Sequence, residues 1–154
     1  MKILITGFAP FGGEAVNPSW EAVSLLPDSF CTLGGEQAEL AKYEMPVSYD
    51  RCGQIIEELI SREKPDCVIC VGQAGGRMGL EVEQIAINLK DASSPDNDGV
   101  ACHGEPVTEG GPDGRFARLP VRDMTVACRA AGIPGKVSFS AGAYVCNCLM
   151  YHVL

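Results

Sequence analysis

A chain of 154 residues with 46% hydrophobic and 21% charged residues has the length of one globular domain with a sizeable core. Its formal net charge of -8, with no cluster of Lys or Arg, excludes the basic face that nucleic acids and anionic membranes require. No stretch approaches the roughly 20 apolar residues of a membrane helix, and the apolar start is too short for a signal peptide; the chain reads as cytoplasmic, its eight cysteines as thiols and not a disulfide framework.

Lys2 to Thr6 is a β-branched, apolar run closed by Gly7, a buried strand. A turn-rich loop, Phe8 to Gly13, leads to Asn17-Pro18, a helix cap with Pro at the first helical position. The helix carries Trp20 and Val23 and stops before Pro27. Leu40 to Val47 predicts a strand. Ser48 to Lys64 predicts a helix with an Ile55, Ile56, Leu59, Ile60 stripe, ended by Pro65. The continuous apolar run Cys67 to Gly72 predicts a parallel strand buried on both faces. After the glycines of Gly72 to Gly76, Glu83 to Leu89 predicts a strand that Glu83 heads. Ser93 to Gly114, with three Pro and five Gly, predicts a loop. Val121 to Ala131 is helical, Lys136 to Ser140 a strand, and the chain turns helical again from about Tyr144.

Strand and helix alternate as in a three-layer α/β/α fold: a mostly parallel twisted sheet, helices on both faces, one domain over residues 1–154. Ligands of such sheets sit beyond the carboxyl ends of the strands, where the segments after Thr6, Val71 and Ser140 fall. The last helix feeds no further strand, so the fold reads as C-terminally incomplete, lacking its last strand or strands and a helix.

Cys146 follows a strand-to-helix turn, where first-turn N–H groups and the positive helix end favour a thiolate and can hold an oxyanion. The plainer alternative is a buried structural cysteine. Cys146 and Cys148 have no matching ligand set, Cys102-His103 is isolated, and Cys67-x-x-Cys70 lies within a strand, so neither metal nor redox chemistry is expected. No glycine loop matches a dinucleotide or phosphate-loop motif, and no cofactor is expected. Phe8 and Phe11 either plug the core or line a flat, uncharged pocket. Glu83 is either a solvated strand end or the carboxylate that orients a catalytic base.

Together these segments resemble one family. Gly7-Phe8-x-Pro10-Phe11-Gly12-Gly13 with Asn17-Pro18-Ser19-Trp20-Glu21 resembles the N-terminal signature of type I pyroglutamyl peptidases. Val71-Gly72-Gln73-Ala74-Gly75-Gly76-Arg77 with Glu83-x-Ile85-Ala86-Ile87-Asn88 resembles the segment of the family's glutamate. Pro95-Asp96-Asn97-x-Gly99 follows in place, and Ser140-Ala141-Gly142-x-Tyr144-Val145-Cys146-Asn147 resembles the nucleophile segment. The resemblance implies a cysteine exopeptidase that removes N-terminal pyroglutamyl residues from peptides, with no metal or cofactor. It implies Cys146 as nucleophile and Glu83 as the carboxylate of a Cys-His-Glu triad. It further implies Phe8 and Phe11 on the lactam ring, with Asn17, Gln73, Tyr144 and Val145 close to it. Members commonly form homo-oligomers.

Two departures stand out. The family's histidine lies in a later Gly-Phe-x-His-x-Pro segment that these 154 residues do not contain, and neither His103 nor His152 fills its role. Ser93 and Ser94 stand where relatives commonly have Arg-Ile. The resemblance therefore implies a chain impaired or inactive as it stands, with apolar sheet surface exposed; a non-catalytic protein that binds pyroglutamyl peptides is the alternative.

Overall fold

β1 (Lys2–Phe8) is buried from Ile3 to Phe8, and fully burying a side chain such as Leu4, 0% exposed, is worth about 1.5–3 kcal/mol. In the computed structural model, which describes Met1–Leu154, this strand centres the first of two compact units: Met1–Gln73, Pro95–Val100 and Val153. α1 (Pro18–Ser24), β2 (Ser29–Cys31), β3 (Gln37–Met45), α2 (Tyr49–Glu63) and β4 (Cys67–Cys70) follow it. The sheet order is β2-β3-β1-β4. β3 and β4 run parallel to β1, and β2 is antiparallel to β3.

α2 spans the expected stretch, with its buried face turned from the expected stripe so that Ile55 and Ile60 are half-buried. Ser48 Oγ accepts from Arg51 N–H at the start, and Asp50 lies in the first turn, where the helix dipole favours an anion. Tyr49, Cys52, Ile56 and Leu59 are the buried stripe. Lys64 then adopts φ 46° and closes the helix through its N–H to Ile60 O, and Pro65 cannot extend it. Glu63 at the last turn is bonded by Lys2 Nζ (2.6 Å), Tyr43 OH (2.6 Å) and Arg62 Nε (2.9 Å). Lys2 first, then Tyr43 and Arg62, hold its carboxyl down at about 2.

The second unit comprises Ala74–Ser94, Ala101–His152 and Leu154. Its elements are β5 (Leu80–Glu83), β6 (Ile85–Ile87), β7 (Lys90–Asp91), β8 (His103–Glu105), β9 (Gly114–Phe116), α3 (Val121–Ala130), β10 (Gly135–Ser138) and α4 (Val145–Val153). β5 and β10 pair in parallel; β6 with β9 and β7 with β8 are antiparallel. α3 packs on both β5 and β10.

The α/β class read from the sequence holds, while four details differ. Glu83 does not head a strand: it closes β5, and a break at Gln84 separates β6. The alternation Leu80-Glu81-Val82-Glu83 is strand-like, but its charges are satisfied by partners the pattern cannot show. Glu81 meets Arg77 and, at 2.9 Å, Lys136. The run at Cys67 is half-buried, because β4 is an edge of its sheet. The expected loop of residues 93–114 contains β8 and the start of β9, and β2 was not foreseen; such short pairs carry too few residues to show a period.

Candidate active site

In the first unit the predicted ligand residues gather at the carboxyl ends of β1 and β4. Gly7 makes this possible: a Cβ there would lie 2.5 Å from Trp20 Cα, so glycine alone lets α1 sit against the end of β1. Phe8, 3% exposed, donates its N–H to Ser19 Oγ at 2.9 Å. Ala9 N–H extends the pairing to Met45 O at 2.9 Å. The chain then turns at Phe11, whose carbonyl accepts from Glu14 N–H at 3.2 Å. Gly12 and Gly13 occupy the centre of this turn at φ 65° and 84°, values that L side chains rarely adopt. Phe11 is half-buried and Gln73 exposed. Val71 N–H donates to Thr6 O at 2.8 Å, which carries the chain after β4 alongside β1 towards Gln73.

Asn17 is 2% exposed and its side chain makes three hydrogen bonds. Oδ1 accepts from Ser19 N–H (3.0 Å) and Ser19 Oγ (2.8 Å), and Nδ2 donates to Ala9 O (3.0 Å). It therefore acts on the loop of Phe8 and Phe11 as a brace.

In the second unit, Glu83 and the cysteine segment share the carboxyl end of the β5–β10 pair. The register sets Glu83 beside Ser138. From Ser138 the chain reverses through Ser140 and Gly142: Gly142 N–H donates to Ser140 Oγ at 3.0 Å, and Gly142 takes φ 78°. α4 opens with Tyr144 extended at its N-cap, and Tyr144 O accepts from Asn147 and Cys148 N–H at 3.0 and 3.2 Å. Cys146 is thus the second residue of α4, half-buried at the helix's positive end. Val145 is 0% exposed, main chain included; Tyr144 is half-buried.

Glu83 is 24% exposed. Its Oε1 lies 3.9 Å from Arg77 Nη1, while Oε2 is buried with no hydrogen-bond partner. A carboxylate oxygen in that condition is a costly acceptor to leave unmade.

His152 lies six positions after Cys146 on α4, roughly 9 Å along the axis at 1.5 Å per residue. His103 is exposed on β8. No group of three or more His, Cys, Asp or Glu is placed to hold a metal ion, and no helix is long and apolar enough to cross a membrane. None of the eight cysteines forms a disulfide. Burial pushes the Cys70 thiol up to about 11 and also raises that of Cys67, which leaves this pair poorly suited to thiolate chemistry.

A family model described as pyroglutamyl peptidase matches residues 1–154. The chain belongs to the pyroglutamyl peptidase family. It is thereby a member of a cysteine-peptidase family. Pyrrolidone-carboxylate peptidase of Thermococcus onnurineus is 51% identical over 154 residues, covering 100% of this chain and 74% of that protein. The Thermosipho africanus protein of the same name is 49% identical, covering 100% and 73%. Among solved structures, pyroglutamyl peptidase I of Bacillus amyloliquefaciens superposes with TM-score 0.92 at 43% identity, covering 99% of this chain and 70% of that one. Pyrrolidone carboxyl peptidase of Fervidobacterium islandicum gives TM-score 0.89 at 35% identity, covering 99% and 71%.

Two residues with evident structural work carried no role in the sequence reading. Asn147, 0% exposed, accepts from Ile87 N–H (2.9 Å) and donates to Ile87 O (2.9 Å) and Leu89 O (3.0 Å), tying the start of α4 to β6. Asn97 is the other. The signal for both was an asparagine inside or beside a motif, Cys146-Asn147 and Pro95-Asp96-Asn97.

Proposed function

We propose that this chain carries the thiol-peptidase machinery for removing an N-terminal pyroglutamyl residue from peptides. Cys146 is the nucleophile: its thiolate attacks the pyroglutamyl carbonyl carbon, and first-turn N–H groups of α4 hold the oxyanion. Collapse expels the next residue's nitrogen, which leaves as an amine after taking a proton, and a thioester remains on Cys146. Water then adds to the thioester and releases pyroglutamate and the thiolate. Glu83 is the carboxylate that orients a histidine in a Cys-His-Glu triad. Its buried, unbonded Oε2 is the single observation that supports this reading most, because it is an acceptor awaiting an N–H donor.

The cyclised residue has no charged amine, so its recognition calls for apolar walls and amide partners. Phe11 supplies an apolar wall backed by the buried Phe8, Gln73 an exposed amide, Asn17 the brace behind the loop, and the half-buried Tyr144 a contact backed by the buried Val145. Residues 1–154 act as one peptidase domain, and the unbroken match of the family model supports that. Loss of one member of such a triad costs several orders of magnitude in rate. Homo-oligomers and a cytoplasmic setting belong to the same reading.

Release of fluorophore from a pyroglutamyl-amide reporter, followed together with intact protein mass, tests this. The expected result is turnover or an acyl adduct that Cys146→Ser abolishes. Turnover that survives Cys146→Ser overturns the mechanism.

A further inference from the structure

The segment Pro95–Val100 has no part in the chemistry above, yet the first unit holds it at several points. Asp96, 6% exposed, accepts from Tyr49 N–H at 2.8 Å on Oδ2, and from Asp98 and Val100 N–H, each 2.9 Å, on Oδ1. Asp98 receives a two-pronged bond from Arg51 of α2, both arms 2.8 Å, the geometry that gives guanidinium pairs their directional strength. Asn97 N–H donates to Val47 O at 3.0 Å. From this fixed base the Asn97 side chain reaches across 87 positions of sequence and donates from Nδ2 to Pro10 O at 2.8 Å. Pro10 stands between Phe8 and Phe11.

Two consecutive carbonyls of that loop, Ala9 O and Pro10 O, are therefore each held by an asparagine amide, from Asn17 and Asn97 respectively. Only a side chain that donates can do this; a carboxylate of the same shape would repel the carbonyl. A loop fixed at both points presents its two phenylalanines in one arrangement, and a ligand then loses less affinity to ordering it.

We propose that Asn97 is a positioning residue that sets specificity for the uncharged lactam, by fixing Phe11 relative to Phe8. This rests on the functional reading above. The test is calorimetric titration of the whole 154-residue chain with L-pyroglutamyl amide and, as a charged-ring control, L-prolinamide. Asn97→Ala is expected to weaken lactam binding about fivefold, the effect of one net hydrogen bond, with thermal melting nearly unchanged because Asn97 is exposed. Asn97→Asp, isosteric but acceptor-only at neutral pH, is expected to weaken it more than Asn97→Ala and to recover affinity as the carboxyl is protonated. A role confined to stability would lower melting and leave affinity and its pH dependence untouched. Equal lactam affinity in all three chains overturns the role of Asn97 alone, whereas no preference for the lactam in the unsubstituted chain overturns the functional reading itself. Amide exchange supplies a readout independent of ligand: Glu14, whose N–H closes the turn on Phe11 O, should exchange faster in Asn97→Ala, and unchanged exchange there overturns the proposal.

Discussion

The two units hold their predicted site residues by different physical means. In the first, Phe8 closes a seven-residue strand, buried from Ile3 onward and flanked by parallel neighbours on both sides, and Phe11 follows three residues later, so the loop inherits its start from a hydrogen-bond ladder. In the second, Glu83 closes and Cys146 follows a parallel pair of only four residues each, and the start of the helix bearing the cysteine is tied by the three bonds of one side chain, Asn147, while Tyr151 OH anchors its far end on Pro112 O. Backbone ladders spread their energy over many bonds. A single buried amide concentrates it, and so that end of the molecule is more vulnerable to one substitution.

The largest expected effect tests that contrast directly. Asn147→Ala leaves Ile87 N–H, Ile87 O and Leu89 O without their partner, a loss of roughly 3 kcal/mol or more. Urea denaturation should show this, and acylation of Cys146 should fall with it; a midpoint shift near zero would break the comparison. Gly7→Ala comes next, at about 2 kcal/mol for forcing Trp20 backbone away from β1, read as a lower melting temperature and a change in emission from the one tryptophan. If Gly7→Ala proved costlier than Asn147→Ala, the order of vulnerability would be reversed. The smallest effect concerns the ladder's own periphery. The Glu63 carboxyl is held at about 2 against an ordinary 4.5, so its contribution to stability is full above about 4.5 and lost as pH falls towards 2. Glu63→Gln should flatten the decline of stability across that window, with its cost largest at pH 7, where the charge-assisted Lys2, Tyr43 and Arg62 bonds are lost, and vanishing towards pH 2.

Legibility in the sequence tracked how local the cause was. α2 was readable in its extent and its stop, which lie within its own stretch, but its buried face only in part: Ile56 and Leu59 are buried, Ile55 and Ile60 half-buried, and Tyr49 and Cys52 complete the face. β1 was readable because a run of Ile, Leu and Thr closed by glycine has few alternatives. Glu83 was identified as a candidate, yet its place on the strand was misjudged, since what stabilises Leu80–Glu83 as a strand is Lys136 across the pair and Arg77 before it. Cys146 and Glu83 were legible as members of motifs. The work of Asn97 and Asn147 was not, because their partners are main-chain groups 87 and 60 positions away, and nothing in residue type announces a distant carbonyl.

The spread of thiol environments bears on how the nucleophile can be counted. Cys31 sits in the open on an edge strand, while Cys70 is half-buried and desolvation makes its thiol hard to ionise. An alkylating reagent will therefore mark Cys31 whether or not any peptidase chemistry occurs. Stoichiometric labelling of this chain becomes a measure of competent sites only on a Cys31→Ser background, with the modified peptide mapped to Cys146.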